Sequence, residues 1–135
     1  MNYFIIKEKL PSLNEYQNQC RANRFLGAKM KAETENVIFS DIMWARRISK
    51  TLFPVKSYPI EVIAEWHEKD KRRDCDNIKS AMKFILDALV KQEIITDDGR
   101  KYVTQIRDTI VDDNKTFVKI ILKENGDEQS MRKDT

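Results

Sequence analysis

Asp74 and Asp76 stand two apart in K-R-R-D-C-D-N (71–77), and a second acidic pair, Asp97 and Asp98, comes just before Gly99. In extended chain, residues two apart leave the same face, so both carboxylates point together while Cys75 points away. Carboxylates that close repel unless a cation neutralises them or one takes up a proton. Oxygen-only ligation suits Mg2+ or Mn2+, which keep several waters and bind through a few carboxylates plus a substrate phosphate. An aspartate from the 97–98 turn would complete such a site. Lys71, Arg72 and Arg73 lead directly into the first pair and offer partners for the phosphate. Lys79 and Lys83 follow it, placed to assist a pentacovalent transition state or to steer the nucleophile. This is the chemistry of a metal-dependent nuclease. D-x-D by itself also occurs in helix caps, solvated loops and glycosyltransferase metal sites, and D-D-G occurs in plain turns. The weight lies in their combination with the basic run.

These residues need elements to hold them. Tyr3–Lys9 reads as a β-strand ended by Pro11, and Ser12-Leu13-Asn14-Glu15 fits a capping box opening a helix to Arg24, with Tyr16 and Cys20 on one face. Gly27 either interrupts the helical pattern or sits inside it at a cost of about 1 kcal/mol. Residues 21–31 carry Arg21, Arg24, Lys29 and Lys31 with no acid among them, which with Asn23 and Phe25 suits a DNA backbone or an ordinary solvated face. Val37–Leu52 is read as a separate helix, with Trp44 assigned to the core. Pro54 and Pro59 bracket a connector. Ile60–Glu68 alternates as a half-buried strand with Ile60, Val62, Ala64 and Trp66 on one side. His67, the one histidine of the chain, is read as a surface group on the other.

From Asn77 to Gln92 the spacing predicts a helix, with Ile78, Met82, Ile85 and Leu89 facing a sheet and Asp76 at the N-cap position. Lys83 and Asp87 fall near the angular position of Asp76. Ile94 and Ile95 return to the core before the 96–99 turn. Val103–Val111 and Lys115–Leu122 read as two strands of a hairpin joined at 112–114. One domain is expected over residues 1–123, followed by a polar, disordered tail at 124–135.

The 135 residues are 41% hydrophobic and 35% charged, with a net charge of +3. Charge is unevenly distributed: residues 1–73 hold 14 Lys+Arg against 9 Asp+Glu, and residues 74–135 hold 11 against 13. A basic first half suits phosphate contacts and an acidic second half suits cations. Cys20 and Cys75 lack zinc spacing and read as reduced thiols. The opening M-N-Y-F-I-I-K has neither a charged leader nor a long apolar run, and nothing approaches a membrane span, so a cytoplasmic protein without membrane association is expected.

At the acidic motifs the sequence resembles the RusA family of Holliday-junction resolvases, found on phages and prophages. The resemblance is carried by R-R-D-C-D-N (72–77), K-F-I-L-D-A-L (83–89) and D-D-G (97–99), and more weakly by L-P-S-L-N-E-Y (10–16). It implies an α+β fold, a small mixed β-sheet packed against helices on one side, in an intertwined or two-fold homodimer. It implies an endonuclease that recognises four-way DNA junctions by shape and makes symmetric nicks in opposing strands. The cofactor would be Mg2+, with Mn2+ able to substitute, and no small-molecule cofactor. The family's metal-site aspartates fall on Asp74, Asp76 and Asp98, with Asp97 a neighbour of less defined role, and its arginine before the first aspartate on Arg73. The interval from Asn77 to Asp87 is longer here than in the best-known members. The catalytic lysine therefore matches Lys83 when counted back from Asp87, and falls beside Lys79 when counted forward from Asn77. Helical geometry favours Lys83. Two other classes compete. A non-catalytic basic DNA-binding module of phage origin would bind junctions without metal or nicks. A nucleotide phosphotransferase is disfavoured, because Gly27, Gly99 and Gly126 are too far apart for a phosphate loop.

Overall fold

Ile60–Glu68 is the strand around which the sheet assembles. Ile60, Val62, Ala64 and Trp66 are all at most 1% exposed, and even Glu68 is buried. A strand buried this deeply belongs in the middle of a sheet, not at its edge. The computed structural model describes residues 1–69 and 78–124. Its elements are β1 (Asn2–Ile6), α1 (Leu13–Ala22), α2 (Arg24–Arg47), β2 (Ile60–Glu68), α3 (Met82–Lys91), β3 (Val103–Asp112) and β4 (Phe117–Glu124). They form a four-stranded mixed sheet of order β1-β4-β2-β3. β2 runs parallel to β3 and antiparallel to β4, and β1 is antiparallel to β4. Of the tail expected at 124–135, Glu124 still pairs with Ile60 as the last residue of β4, and residues 125–135 lie outside the described residues.

The hairpin expected of the last two strands does not form. β2 lies between them, pairing Glu68 with Asp112 of β3 and His67 with Phe117 of β4. The short link from β3 to β4 thus steps over the end of β2. Pairing β3 directly with β4 would leave β2, the most buried strand, with an open edge.

Alternate residues of the strands put Phe4, Ile6, Val62, Ala64, Trp66, Val118, Ile120 and Leu122 into the core. Ile38, Ile42 and Ala45 of α2, and Met82, Ile85, Ala88 and Leu89 of α3, close over them. The fold is α+β, with its helices on one face of the sheet. On the other face Glu61, 8% exposed, accepts from Nε of Arg107 at 2.9 Å and also from Nη2.

The helices depart from expectation in instructive ways. Ser12 caps α1 as predicted, its hydroxyl accepting from the Glu15 amide at 3.1 Å. α1 stops at Ala22 because Asn23 is extended (φ −168°, ψ 130°) and starts α2 instead. α2 then runs unbroken through Gly27 and Val37, so no separate helix begins at Val37. Buried Thr34 fits inside it by returning its hydroxyl to the Met30 carbonyl at 2.8 Å. Trp44 is not a core residue: it is 53% exposed, and the Lys7 ammonium lies 5.1 Å from its ring centroid. Two positions beyond Ile42, it is turned about 200° away from the buried stripe.

Candidate active site

The motif residues lie on the crossover that joins parallel strands β2 and β3. Asp74, Asp76, Lys71, Arg72 and Arg73, together with the proposed N-cap role of Asp76, fall outside the described residues. The residues that flank them do not. Lys69 follows the last residue of β2. On the far side, Ile78 is buried and Ser80 accepts the Leu13 amide at 2.9 Å. That contact ties the start of α3 to the chain leaving β1, on the side of the sheet where β1 and β2 end.

The helix expected from Asn77 is interrupted. Ile78 and Lys79 make a short helical turn, Ser80 and Ala81 form a bend, and α3 proper begins at Met82 with Ala81 as N-cap. The Ala81 amide reaches the Ile78 carbonyl at 3.3 Å, a three-residue turn instead of a helical one. At this bend the Ser80 hydroxyl is the acceptor for the Leu13 amide. Lys79 and Lys83 are both exposed, while Asp87 is half-buried on the same side of the helix. Ile78, Met82, Ile85 and Leu89 are buried, as their spacing predicts.

α3 ends in a Schellman motif. Glu93 has φ 61°, the Ile94 amide donates to the Leu89 carbonyl at 2.9 Å, and the Glu93 amide donates to the Val90 carbonyl at 3.1 Å. Ile94 and Ile95 are buried, and the Ile94 carbonyl accepts from Val55 at 2.8 Å. The chain then surfaces at Asp97 and Asp98. Both are exposed, and Oδ1 of Asp97 accepts the Asp98 amide at 2.8 Å. The Gly99 carbonyl accepts from both Tyr102 and Val103 at 2.9 Å, which fixes the turn against the start of β3. A Cβ at Gly99 would meet no atom closer than 3.9 Å, and its φ is not positive, so neither space nor backbone conformation requires glycine there.

The structure therefore brings Asp97 and Asp98 together at one end of the crossover and Lys79 and Lys83 at the other. Arg21, Arg24, Lys29 and Lys31 form a third group, all exposed around the α1–α2 corner, where Lys29 reaches Glu33 at 3.9 Å. Among the described residues no three His, Cys, Asp or Glu side chains gather closely enough to hold a cation. Asp97 and Asp98 offer exposed carboxylate oxygens, the donor type a hard divalent cation takes, so the residues fit Mg2+ by donor chemistry.

A second polar group, at the end of β2, was not foreseen. His67 is not a free surface residue: its side chain is 14% exposed, and Nδ1 lies 2.8 Å from Oδ2 of Asp113. Its ring stacks on Phe117, with centroids 3.9 Å apart, and Nε2 is 3.7 Å from Oε1 of Glu65. The His67 hydrogen bond holds the Asp113 carboxyl below its ordinary value. Trp66 Nε1 likewise donates to Oδ1 of Asp108 at 2.7 Å. Both partners come from β3 or the link after it, and the strand order that brings them there has no local signature.

Compared with protein-family models and with curated proteins, the chain gives no match. Among the described residues no helix is long and apolar enough to cross a membrane.

Proposed function

We propose that the chain is a metal-dependent, structure-selective endodeoxyribonuclease of the RusA kind, which resolves four-way DNA junctions as a homodimer. The observation that carries this reading is that R-R-D-C-D-N, K-F-I-L-D-A-L and D-D-G all belong to one β–α–β crossover, that between β2 and β3. Asp74, Asp76 and Asp98, with Asp97 beside them, would hold Mg2+ or Mn2+. When bound, such an ion lowers the pKa of a coordinated water and stabilises charge on the scissile phosphate. Lys83, or Lys79 on the far side of the bend at 80–81, offers an ammonium to the developing phosphorane charge. Arg72 and Arg73 orient the phosphate by charge-assisted hydrogen bonds.

In the sequence the two acidic pairs stand near opposite ends of the segment that links β2 to β3. The 97–98 turn adjoins the start of β3, whereas Lys69 and Ile78, which flank the first pair, stand where β2 ends and α3 begins. Two copies related by a two-fold would let the turn of one serve the aspartates of the other. Such a dimer also matches a substrate in which two opposed strands are cut.

The test is a nicking assay on labelled four-way junctions, in Mg2+, Mn2+ or EDTA, with wild type and Asp76→Asn. Metal-dependent paired nicks that disappear in the variant, while junction binding survives, are the expected result. Binding without nicks under every metal would leave a DNA-binding module, and equal cutting of linear duplex would remove the junction specificity.

A further inference from the structure

The most exposed aromatic side chain among the described residues sits at the corner between α1 and α2. Asn23 alone makes that corner. Its amide closes α1 on the Gln19 carbonyl at 3.0 Å, and its side-chain oxygen opens α2 by accepting the Phe25 amide at 2.8 Å. Beneath it, Gly27 lies against Cys20 so closely that a Cβ would come within 2.4 Å of Sγ and 3.1 Å of Cα. The two helices are thus in contact through backbone, and the corner cannot relax inward. Phe25, 77% exposed, and Leu26, 44% exposed, are held outward on it. Arg21, Arg24, Lys29 and Lys31 are exposed on the same acid-free stretch, 21–31, with Lys29 reaching Glu33 beyond it at 3.9 Å.

We propose that Phe25, with Leu26 beside it, is a wedge that enters the base stack of branched DNA, while these four cations hold the flanking phosphates. The choice of branched DNA rests on the nuclease reading above. Apolar side chains inserted at a base step part the stack, and cations at its margin offset the phosphate charge. A branch point is where stacking is already broken, so insertion costs least there. A corner with a fixed backbone suits this use, because little backbone freedom remains to be lost on insertion. The patch is too small for a membrane. The apolar stripe of α2, Ile38, Ile42 and Ala45, is buried in the core. The other exposed apolar residues of the helix, Met43 and Trp44, lie about 27 Å along it from Phe25, so they form no continuous lipid-facing surface with the corner. Its position also fits. α1 begins at Leu13, bonded to Ser80 beside the candidate site, and its ten residues carry the corner about 15 Å away, roughly four to five base steps along one strand.

The experiment places 2-aminopurine at the branch point of a synthetic four-way junction and titrates it in EDTA with wild type, Phe25→Ala and Phe25→Trp. Parallel reactions in Mg2+ score nicks. Thermal melts of each variant show that the fold is kept, as expected for so exposed a side chain. The wedge predicts a severalfold rise in 2-aminopurine fluorescence with wild type and Phe25→Trp that is lost in Phe25→Ala. Loss of one base–aromatic contact should weaken junction binding on the order of tenfold. An unchanged signal and affinity in Phe25→Ala, with nicking intact, overturns the wedge and leaves the nuclease reading standing. A Phe25-dependent signal without nicks in any metal does the reverse. Failure of the wild type to bind junction DNA overturns both. Phe25-dependent binding to anionic phosphatidylserine vesicles, with no Phe25 effect on DNA, assigns the patch to a membrane and overturns the wedge.

Discussion

If the acidic pairs of the candidate site meet only across two copies, two inactive variants should restore each other. The geometry sets the expectation. β2 and β3 are in register from Ile60 opposite Val103 to Glu68 opposite Asp112, a span of nine β2 residues or about 30 Å. The 97–98 turn stands at the first end and Lys69 at the second, whereas carboxylates that share Mg2+ each lie about 2.1 Å from it. Asp76→Asn and Asp98→Asn homodimers should each fall at least about a hundredfold below wild type, since each loses a metal ligand from both sites. A purified heterodimer of the two, made by differential tagging, concentrates both defects in one site and leaves the other intact. About half of the sites then function, but never two in one dimer. On a cruciform plasmid, wild type should yield linear product and the heterodimer nicked circle. A silent heterodimer would refute the reasoning and place both acidic pairs of a working site in one chain.

Two further outcomes concern the scaffold. Glu93→Gly should stabilise the protein by about 0.5–1 kcal/mol, because glycine takes the left-handed conformation that closes α3 without the steric cost of Cβ. A urea melt should show a higher midpoint with an unchanged slope, and a fall in the midpoint would contradict the capping assignment. Asp113→Asn should destabilise the link over the end of β2 in a pH-dependent way. The His67 hydrogen bond lowers the Asp113 value below 3.8, so its contribution is present above that pH and is lost as pH falls through the depressed value. Melting temperatures of wild type and variant should differ at neutral pH and converge in that acid range. A gap that persists to the lowest pH would show that the pair is not an ionic one.

What was legible in the sequence was local. Ser12 announces its cap, Ile85 and Leu89 announce the buried face of α3, and Ile60 to Trp66 announce a buried strand, because each signal repeats within a few residues. What was not legible depends on partners far along the chain. His67 looks like a surface residue until β3 and β4 flank β2 and bring Asp113 and Phe117 to it. Trp44 is hydrophobic enough for a core, yet its phase on α2 is set by which stripe the sheet covers. The end of α3 was legible to within a residue, at Gln92, but the left-handed turn at Glu93 was not, because glycine is usual there. Asp97 and Asp98 could be read as a pair, but not which end of the crossover they would occupy.

The place of β2 has a consequence for the order in which the protein can be made. Its partners on both edges are synthesised after it, and its pairing with β4 is complete only at Glu124, opposite Ile60. A nascent chain that has just emerged through α3 therefore holds its most deeply buried strand with neither neighbour available. Contacts of such long sequence separation form late and slowly. The segment that links β2 to β3 can acquire its full sheet scaffold only once β4 has left the ribosome. A chain cut short before Phe117 should be an aggregation-prone fragment, not a smaller folded domain.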